Sequence, residues 1–487
     1  MGSVPDERVT VCNEAPVRRD GTHVLYWMTA FRRLDWNFSL QRSVEWALEL
    51  DQPLVIFEAL RSDYPWASDR FHRFVLEGMA DNAKRAATAP ILYYSYIEPQ
   101  PGDGRGLLAA LSQSAAVVVT DDYPAFFIPK MVDAAAGRLG VRVEKIDSNG
   151  LMPVRRSGRA FKTAHSFRRF LQKALPGQFD EFPAPDPLRN VRLPRLEALP
   201  EAIATRWPDA MPALHGELGK LTRVLPVDHR VGATGARGGS EAAEVTLARF
   251  LETRLSLYGE RNHPDASVTS DLSPYLHFGH LSSHRVFTDI ASREGWDLDG
   301  VSPTASGARS GWWGMSPSAE AFLDQLVTWR ELGFNACAYL DGHDRYASLP
   351  DWARTTLEEH ASDPRPYLYS LSELEEARTH DRIWNAAQAQ LVREGRVHNY
   401  LRMLWGKKIL EWSATPQDAA NTMIELNNKY ALDGRDPNSY SGIFWCLGRY
   451  DRAWGPERPV FGKIRYMSSE NTARKLRLSE YLKRYAG

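Results

Sequence analysis

Two rhythms of apolar and polar positions run along the first 150 residues. Nearly unbroken apolar runs begin at His23 (HVLYWM), Pro53 (PLVIFEAL), Ile91 (ILYYSYI), Ala116 (AVVVTDD) and Val141 (VRVEKID), and read as strands buried on both faces. Between them apolar positions recur at helical spacing over 37–50, 69–87, 106–115 and 124–139. Five such strands alternating with amphipathic helices predict an α/β layer with a doubly wound parallel sheet. No G-x-G-x-x-G follows the first run, so the dinucleotide fingerprint is absent. A ligand of this sheet is expected at the carboxyl ends of its strands.

The rhythm dissolves over 176–240 into Pro- and Gly-punctuated text such as PGQFDEFPAPDPLRNVRLPRLEALP and GATGARGGS, which reads as a connector. Beyond it the spacing is helical almost throughout, so the expected organisation is an α/β domain over 1–175, a linker over 176–240 and an all-helical domain over 241–487. A Gly-, Ser- and Trp-rich stretch over 295–318 is expected to be a long loop. No internal repeat is present.

Composition narrows the class without naming a function. Apolar and charged fractions are those of a globular chain, and no apolar run approaches the ~20 residues needed to cross a bilayer. The first residues lack the apolar core of a secretory signal. Cys12, Cys337 and Cys446 lie far apart, which argues against disulfides, a zinc site or a metal cluster and for a reducing cytoplasm. The formal net charge of −1 hides a basic end: residues 441–487 hold ten Lys/Arg against four acids. That run reads either as a phosphate-facing surface or as a solvated helix face.

Candidate chemistry lies in the helical half. Trp405 and Trp412 are two helical turns apart and share a face, while Trp384 lies on the preceding helical segment, beyond a break at Glu394-Gly395-Arg396. Three indoles gathered by a helical hairpin can fill a core or pass an electron in short hops to a buried redox cofactor. Thr269-Ser270-Asp271-Leu272-Ser273-Pro274 sets hydroxyls and amides ahead of a Pro-started helix, which suits a diphosphate or an ordinary cap. Gln325 and Trp329 are one turn apart on an apolar helix face, where a polar amide requires a partner in the protein or in a ligand. The run from Leu426 to Asn438 packs Asn and Asp side chains into a short turn.

The order and spacing of YGERN, TSDLSPYLHFG, WREL, SLPDWARTTLEEH, YLYSLSELEEARTHDRIWNAAQ, RMLWGKKILEW, KYALDGRDPN and ERPVFGKIRYM resemble the photolyase/cryptochrome family. Within it the chain is most similar to class II cyclobutane pyrimidine dimer photolyases, and the resemblance covers most of the chain. It implies an α/β antenna domain joined to a helical domain that holds FAD. Tyr258, Thr269, Ser270, Leu272, Ser273 and Arg330 would then hold the ribityl and phosphate part. Arg402 and Asp433 would lie as an ion pair against the isoalloxazine, with Asp436 and Asn399 nearby and Asn427 facing flavin N5. Electrons would run from Trp412 at the surface through Trp384 to Trp405. Trp329 and Trp445 would be the aromatic walls sandwiching a flipped-out dimer, and Arg261 and Arg452 would bind the phosphates of UV-damaged DNA. A second antenna chromophore of deazaflavin or folate type and a monomeric state are also implied.

The chain departs from that pattern in four places. Gln325 stands where the family carries Glu, and an amide can donate but cannot deliver a proton. The segment CLGRYDRAW after Trp445 is shorter and lacks the usual His before Asp-Arg. Asn399 replaces a Gly, and YWMTAFRRLDWNFSL differs from the usual antenna text. The resulting expectation is a light-dependent DNA repair lyase. Its alternative is a cryptochrome-like photoreceptor that keeps flavin photoreduction without repair. A (6-4) photolyase fits less well, because His277 and His398 read as packed side chains.

Overall fold

The computed structural model describes residues 2–486. The five apolar runs form β2 (His23–Met28), β3 (Leu54–Leu60), β4 (Leu92–Ile97), β5 (Ala115–Asp121) and β6 (Val143–Ile146). A sixth strand, β1 (Val9–Val11), pairs antiparallel with β6, and the sheet order is β1-β6-β5-β2-β3-β4. All other pairings are parallel. β1 escaped the sequence reading because three residues in a polar stretch carry no period. The four expected helices are Phe38–Leu50, Asp69–Ala86, Leu107–Ser112 and Ile128–Ala136. They cover both faces of the sheet, giving two apolar layers.

The chain divides into two compact units that interleave in sequence. Unit 1 takes the chain up to Arg156, Ala174–Ala248 and Leu272–Arg293; unit 2 takes Ser157–Lys173, Arg249–Asp271 and the chain from Glu294 onward. Most of the stretch expected as a connector packs onto unit 1. It carries short helices at Glu201–Arg206, Met211–Leu214 and Leu218–Arg223, and Leu188, Leu214 and Leu225 are buried in the core beneath them. Its prolines interrupt helices without preventing burial of the leucines between them.

Unit 2 is helical. Its central elements are Asn399–Trp412, Pro416–Tyr430 and Pro437–Cys446, with Arg382–Glu394 alongside. Gly395, at φ 70, ends the Arg382–Glu394 helix in the left-handed conformation that glycine adopts without strain. That turn makes the hairpin that brings Trp384 against Trp412. The helix Ala164–Ala174 also belongs here, because Arg168 forms a bidentate ion pair with Asp324 at 2.7 and 3.1 Å, both groups buried. The stretch 295–318 is tied down rather than loose. Gln172 bonds the backbone of Gly307 and Ala308, Glu320 accepts from the amides of Gly311 and Gly314, and Trp312 and Trp313 are buried.

Candidate functional site

Unit 2 gathers the tryptophans into one file. Trp384 is fully buried, and its indole N–H donates to the Trp405 carbonyl at 3.0 Å. Its ring meets that of Trp412 edge-on at 5.5 Å. The Trp405 indole N–H donates to Oε1 of Gln388 at 2.9 Å, a buried partner that sequence reasoning missed. Trp412 was expected at the surface and is not: only 2% of it is exposed. Tyr369 and His380 cover it, each with its ring 5.3 Å away.

Next to this file lies a polar strip in an otherwise apolar helical layer. Leu401, Leu404 and Leu432 are closed to solvent, yet between them the Arg402 and Asp433 side chains retain 21% and 16% exposure. They form the expected ion pair at 3.5 Å, a loose contact that leaves both groups room for further bonds. Asn427 is buried; its amide nitrogen donates to Ser439 Oγ at 2.6 Å and to Asn428 Oδ1 at 3.2 Å, which leaves its carbonyl oxygen as the acceptor. Asp436 caps the Pro437–Cys446 helix by accepting from the Asn438 amide at 2.8 Å. Asn399 is exposed at the first turn of the Trp405 helix. A half-open cation–carboxylate pair beside a buried amide is a donor set suited to a polar heterocycle such as FAD.

The expected phosphate end is held differently from the sequence reading. Tyr258 is buried among Phe250 and Phe322, and burial pushes its phenol up to about 12. Arg261 lies over its ring at 5.0 Å. Thr269 and Ser270 are half-buried, and the turn is clamped by Asp271, which takes Arg254 at 2.7 Å and Arg396 as partners. Neither arginine was foreseen, since each pairs with a position far along the chain. Leu272, buried, and Ser273, exposed, are grouped with unit 1. Arg330 is buried at the start of the Arg330–Tyr339 helix, over the Phe334 ring at 4.5 Å.

Gln325 and Trp329 occupy a π-helical stretch, Asp324–Trp329, set between two α-helical segments. Such widened turns are frequent at functional sites. The Gln325 side chain is half-exposed and makes no hydrogen bond among the described residues, so its amide is available to a ligand. Trp329 and Trp445 do not stand apart as two walls. Their rings are stacked on each other at 4.5 Å and 19°, which leaves no space for a base between them. The segment after Trp445 turns inward. Arg449 is buried over Phe444 at 4.2 Å and donates to the His343 carbonyl, while Tyr450, at φ 64, has its hydroxyl 3.0 Å from that of Ser441.

The basic end resolves into two kinds of charge. Lys463, Arg477, Lys483 and Arg484 are paired with glutamates. Arg452 and Arg465 instead lie over the exposed Trp454 ring at 4.8 and 5.3 Å, and Arg458 lies over Tyr466. Among the described residues these three have no carboxylate partner. No metal-holding cluster and no helix long and apolar enough to cross a membrane occur among the described residues. In unit 1, Asp121 at the end of β5 accepts from the amides of Thr29, Ala30 and Phe31, at 2.8, 2.7 and 3.0 Å. The chain's own carboxylate therefore fills the anion nest that follows β2.

The sheet-bearing unit and the tryptophan-bearing helical unit define a photolyase-type fold. A bacterial class III photolyase from Agrobacterium tumefaciens superposes with a TM-score of 0.66 over 96% of this chain and 86% of its own, at 17% identity. No family model matches the chain. Curated relatives do. A deoxyribodipyrimidine photo-lyase of Methanothermobacter thermautotrophicus is 34% identical over 99% of this chain and 98% of its own length. Those of Oryza sativa subsp. japonica and Potorous tridactylus are 34% and 31% identical, over 96% and 94% of this chain and 89% and 80% of their own lengths. The chain belongs to the deoxyribodipyrimidine photo-lyase family.

Proposed function

We propose that the protein is a light-dependent DNA repair lyase that splits cyclobutane pyrimidine dimers. The observation that carries this reading is the near full-length relationship to deoxyribodipyrimidine photo-lyases, and the tryptophan file supports it. FAD, when bound and reduced, supplies a light-driven electron to the cyclobutane ring and recovers it after the ring opens. Arg402, Asp433 and Asn427 would hold the isoalloxazine end, with Asp436 and Asn399 near it. Tyr258, Thr269, Ser270 and Arg330 would hold the ribityl and phosphate end. Asn427 can accept a hydrogen bond through its carbonyl because its amide N–H faces Asn428 Oδ1, an oxygen that the Arg435 N–H already identifies as an acceptor.

The lesion must leave the duplex, and a poorly stacked dimer leaves more cheaply, by a few kcal/mol. Trp329 and Trp445 would receive it either by separating or by presenting the outer face of their stack. Gln325 would donate its amide N–H to the pyrimidine carbonyls without transferring a proton. Arg261, Arg452 and the arginines around Trp454 would engage phosphates. Three free thiols fit a reducing cytoplasm. A deazaflavin- or folate-type antenna would have to bind unit 1 without the amides that Asp121 occupies.

The test is to illuminate the flavin-reduced protein with dimer-containing oligothymidylate and follow ultraviolet absorbance. Recovery in light and none in darkness is expected. Intact flavin photochemistry without recovery would instead mark a photoreceptor.

A further inference from the structure

Trp412 is closed to solvent, so a soluble reductant cannot touch it. The aromatic file does not stop there. Tyr369 and His380 both contact Trp412, and the Tyr369 amide donates to the Trp412 carbonyl at 3.3 Å. The Tyr369 hydroxyl lies 2.7 Å from Nδ1 of His380 and also accepts that residue's backbone N–H at 3.1 Å. Tyr367 stacks on the His380 ring at 3.9 Å and 26°, and half of it is exposed. The residues around His380 are pinned. Asn385 bonds both the amide and the carbonyl of Thr379, and Asp381 caps the Trp384 helix.

We infer that the Tyr369–His380 pair, with Tyr367 outside it, is the proton-coupled end of the electron file; this rests on the flavin-dependent reading above. Once light has drawn an electron from Trp405 and the hole has moved through Trp384 to Trp412, Tyr369 gives one electron to Trp412. In the same step its phenolic O–H bond breaks and the proton passes to Nδ1 of His380. The products are a neutral indole, a neutral tyrosyl radical and an imidazolium. A thiolate meeting the exposed Tyr367 ring then returns one electron and becomes a thiyl radical, and the proton goes back from Nδ1 to the phenol. A base already within hydrogen-bond distance makes the proton transfer a short one. Tyr369 and His380 thus do together what a buried Trp412 cannot do alone, which is to carry the hole to solvent and discharge its proton.

Two measurements test this. The first is flash photolysis of the FAD-loaded protein, with electron paramagnetic resonance on ring-deuterated tyrosine. A neutral tyrosyl radical is expected in the wild type. Tyr369→Phe and His380→Gln should leave the hole on tryptophan, with charge recombination faster by at least about tenfold. A tryptophan radical without any tyrosyl signal, or a Tyr369→Phe variant with unchanged radical and decay, overturns the inference alone. Absence of any tryptophan radical overturns the flavin-dependent reading with it. The second measurement uses flavin-free protein and the imidazole nitrogen resonances of His380. Nδ1 should be the unprotonated, hydrogen-bonded nitrogen and should shift in Tyr369→Phe; a protonated Nδ1 overturns the proton-acceptor role.

Discussion

Replacing Lys407 with Met should stabilise the protein below about pH 8 and cease to do so above the ordinary lysine range. Lys407 follows Trp405 on the Asn399–Trp412 helix and is 1% exposed. Its ammonium donates to the carbonyl of Cys446, the last residue of the Trp445 helix, at 2.5 Å, and forms no ion pair with a carboxylate among the described residues. A cation suits a helix C-terminus, but desolvation dominates and lowers its pKa from 10.5 to about 8. At about 1.4 kcal/mol per unit the charged form costs about 3 kcal/mol in the folded state. The unfolded chain binds the extra proton between pH 8 and 10.5, so wild-type stability gains from this group as pH rises through that window. Lys407→Met removes the cost and forfeits one hydrogen bond of about 1 kcal/mol. The net gain should be about 2 kcal/mol at pH 7, with the advantage fading toward pH 10.5. Thermal melts of both proteins from pH 7 to 10.5, followed by circular dichroism, measure this. Parallel curves across the window would refute the desolvation argument.

Three further outcomes follow from other parts of the site. Gln325→Glu should speed dimer splitting by about tenfold, since a charge-assisted or proton-donating contact is stronger by about 1.5 kcal/mol; repair kinetics under steady illumination check it, and unchanged or slower repair would show that Gln325 does not face the lesion. Arg168→Ala leaves Asp324 buried without its partner and should cost about 3 kcal/mol in denaturant unfolding. Its loss should also loosen the π-helical stretch that carries Gln325, and full stability would mean the pair contributes nothing. Arg452→Ala should weaken DNA binding alike across sequences and lower the salt slope of log K by about 1 in titrations at several salt concentrations; an unchanged slope would remove Arg452 from the phosphate surface.

Much of the fold was legible because it depends on local period. The runs from His23 to Ile146 announced five strands, and the break at Gly395 announced the helical hairpin. Contacts between distant positions were not legible. Arg168 with Asp324, Asp271 with Arg254 and Arg396, and Gln388 with Trp405 leave no trace in spacing. Nor does covering: nothing beside Trp412 in sequence says that Tyr369 lies over it. The connector misled for a physical reason. Proline density signals irregular backbone, whereas burial of Leu188, Leu214 and Leu225 depends on the apolar surface they meet. The ring stack of Trp329 on Trp445 was equally invisible, since it joins two helices more than a hundred residues apart.

In the proposed function the tryptophan file charges a flavin whose electron then passes to a DNA lesion. The measurement compares wild type with Trp384→Phe for recovery of thymine absorbance in dimer-containing oligothymidylate under light. Each protein is started both chemically reduced and oxidised in the presence of a thiol. Both should repair when started reduced, and only the wild type should repair when started oxidised. Light-dependent flavin reduction with no recovery of thymine absorbance by the reduced wild type would refute that coupling.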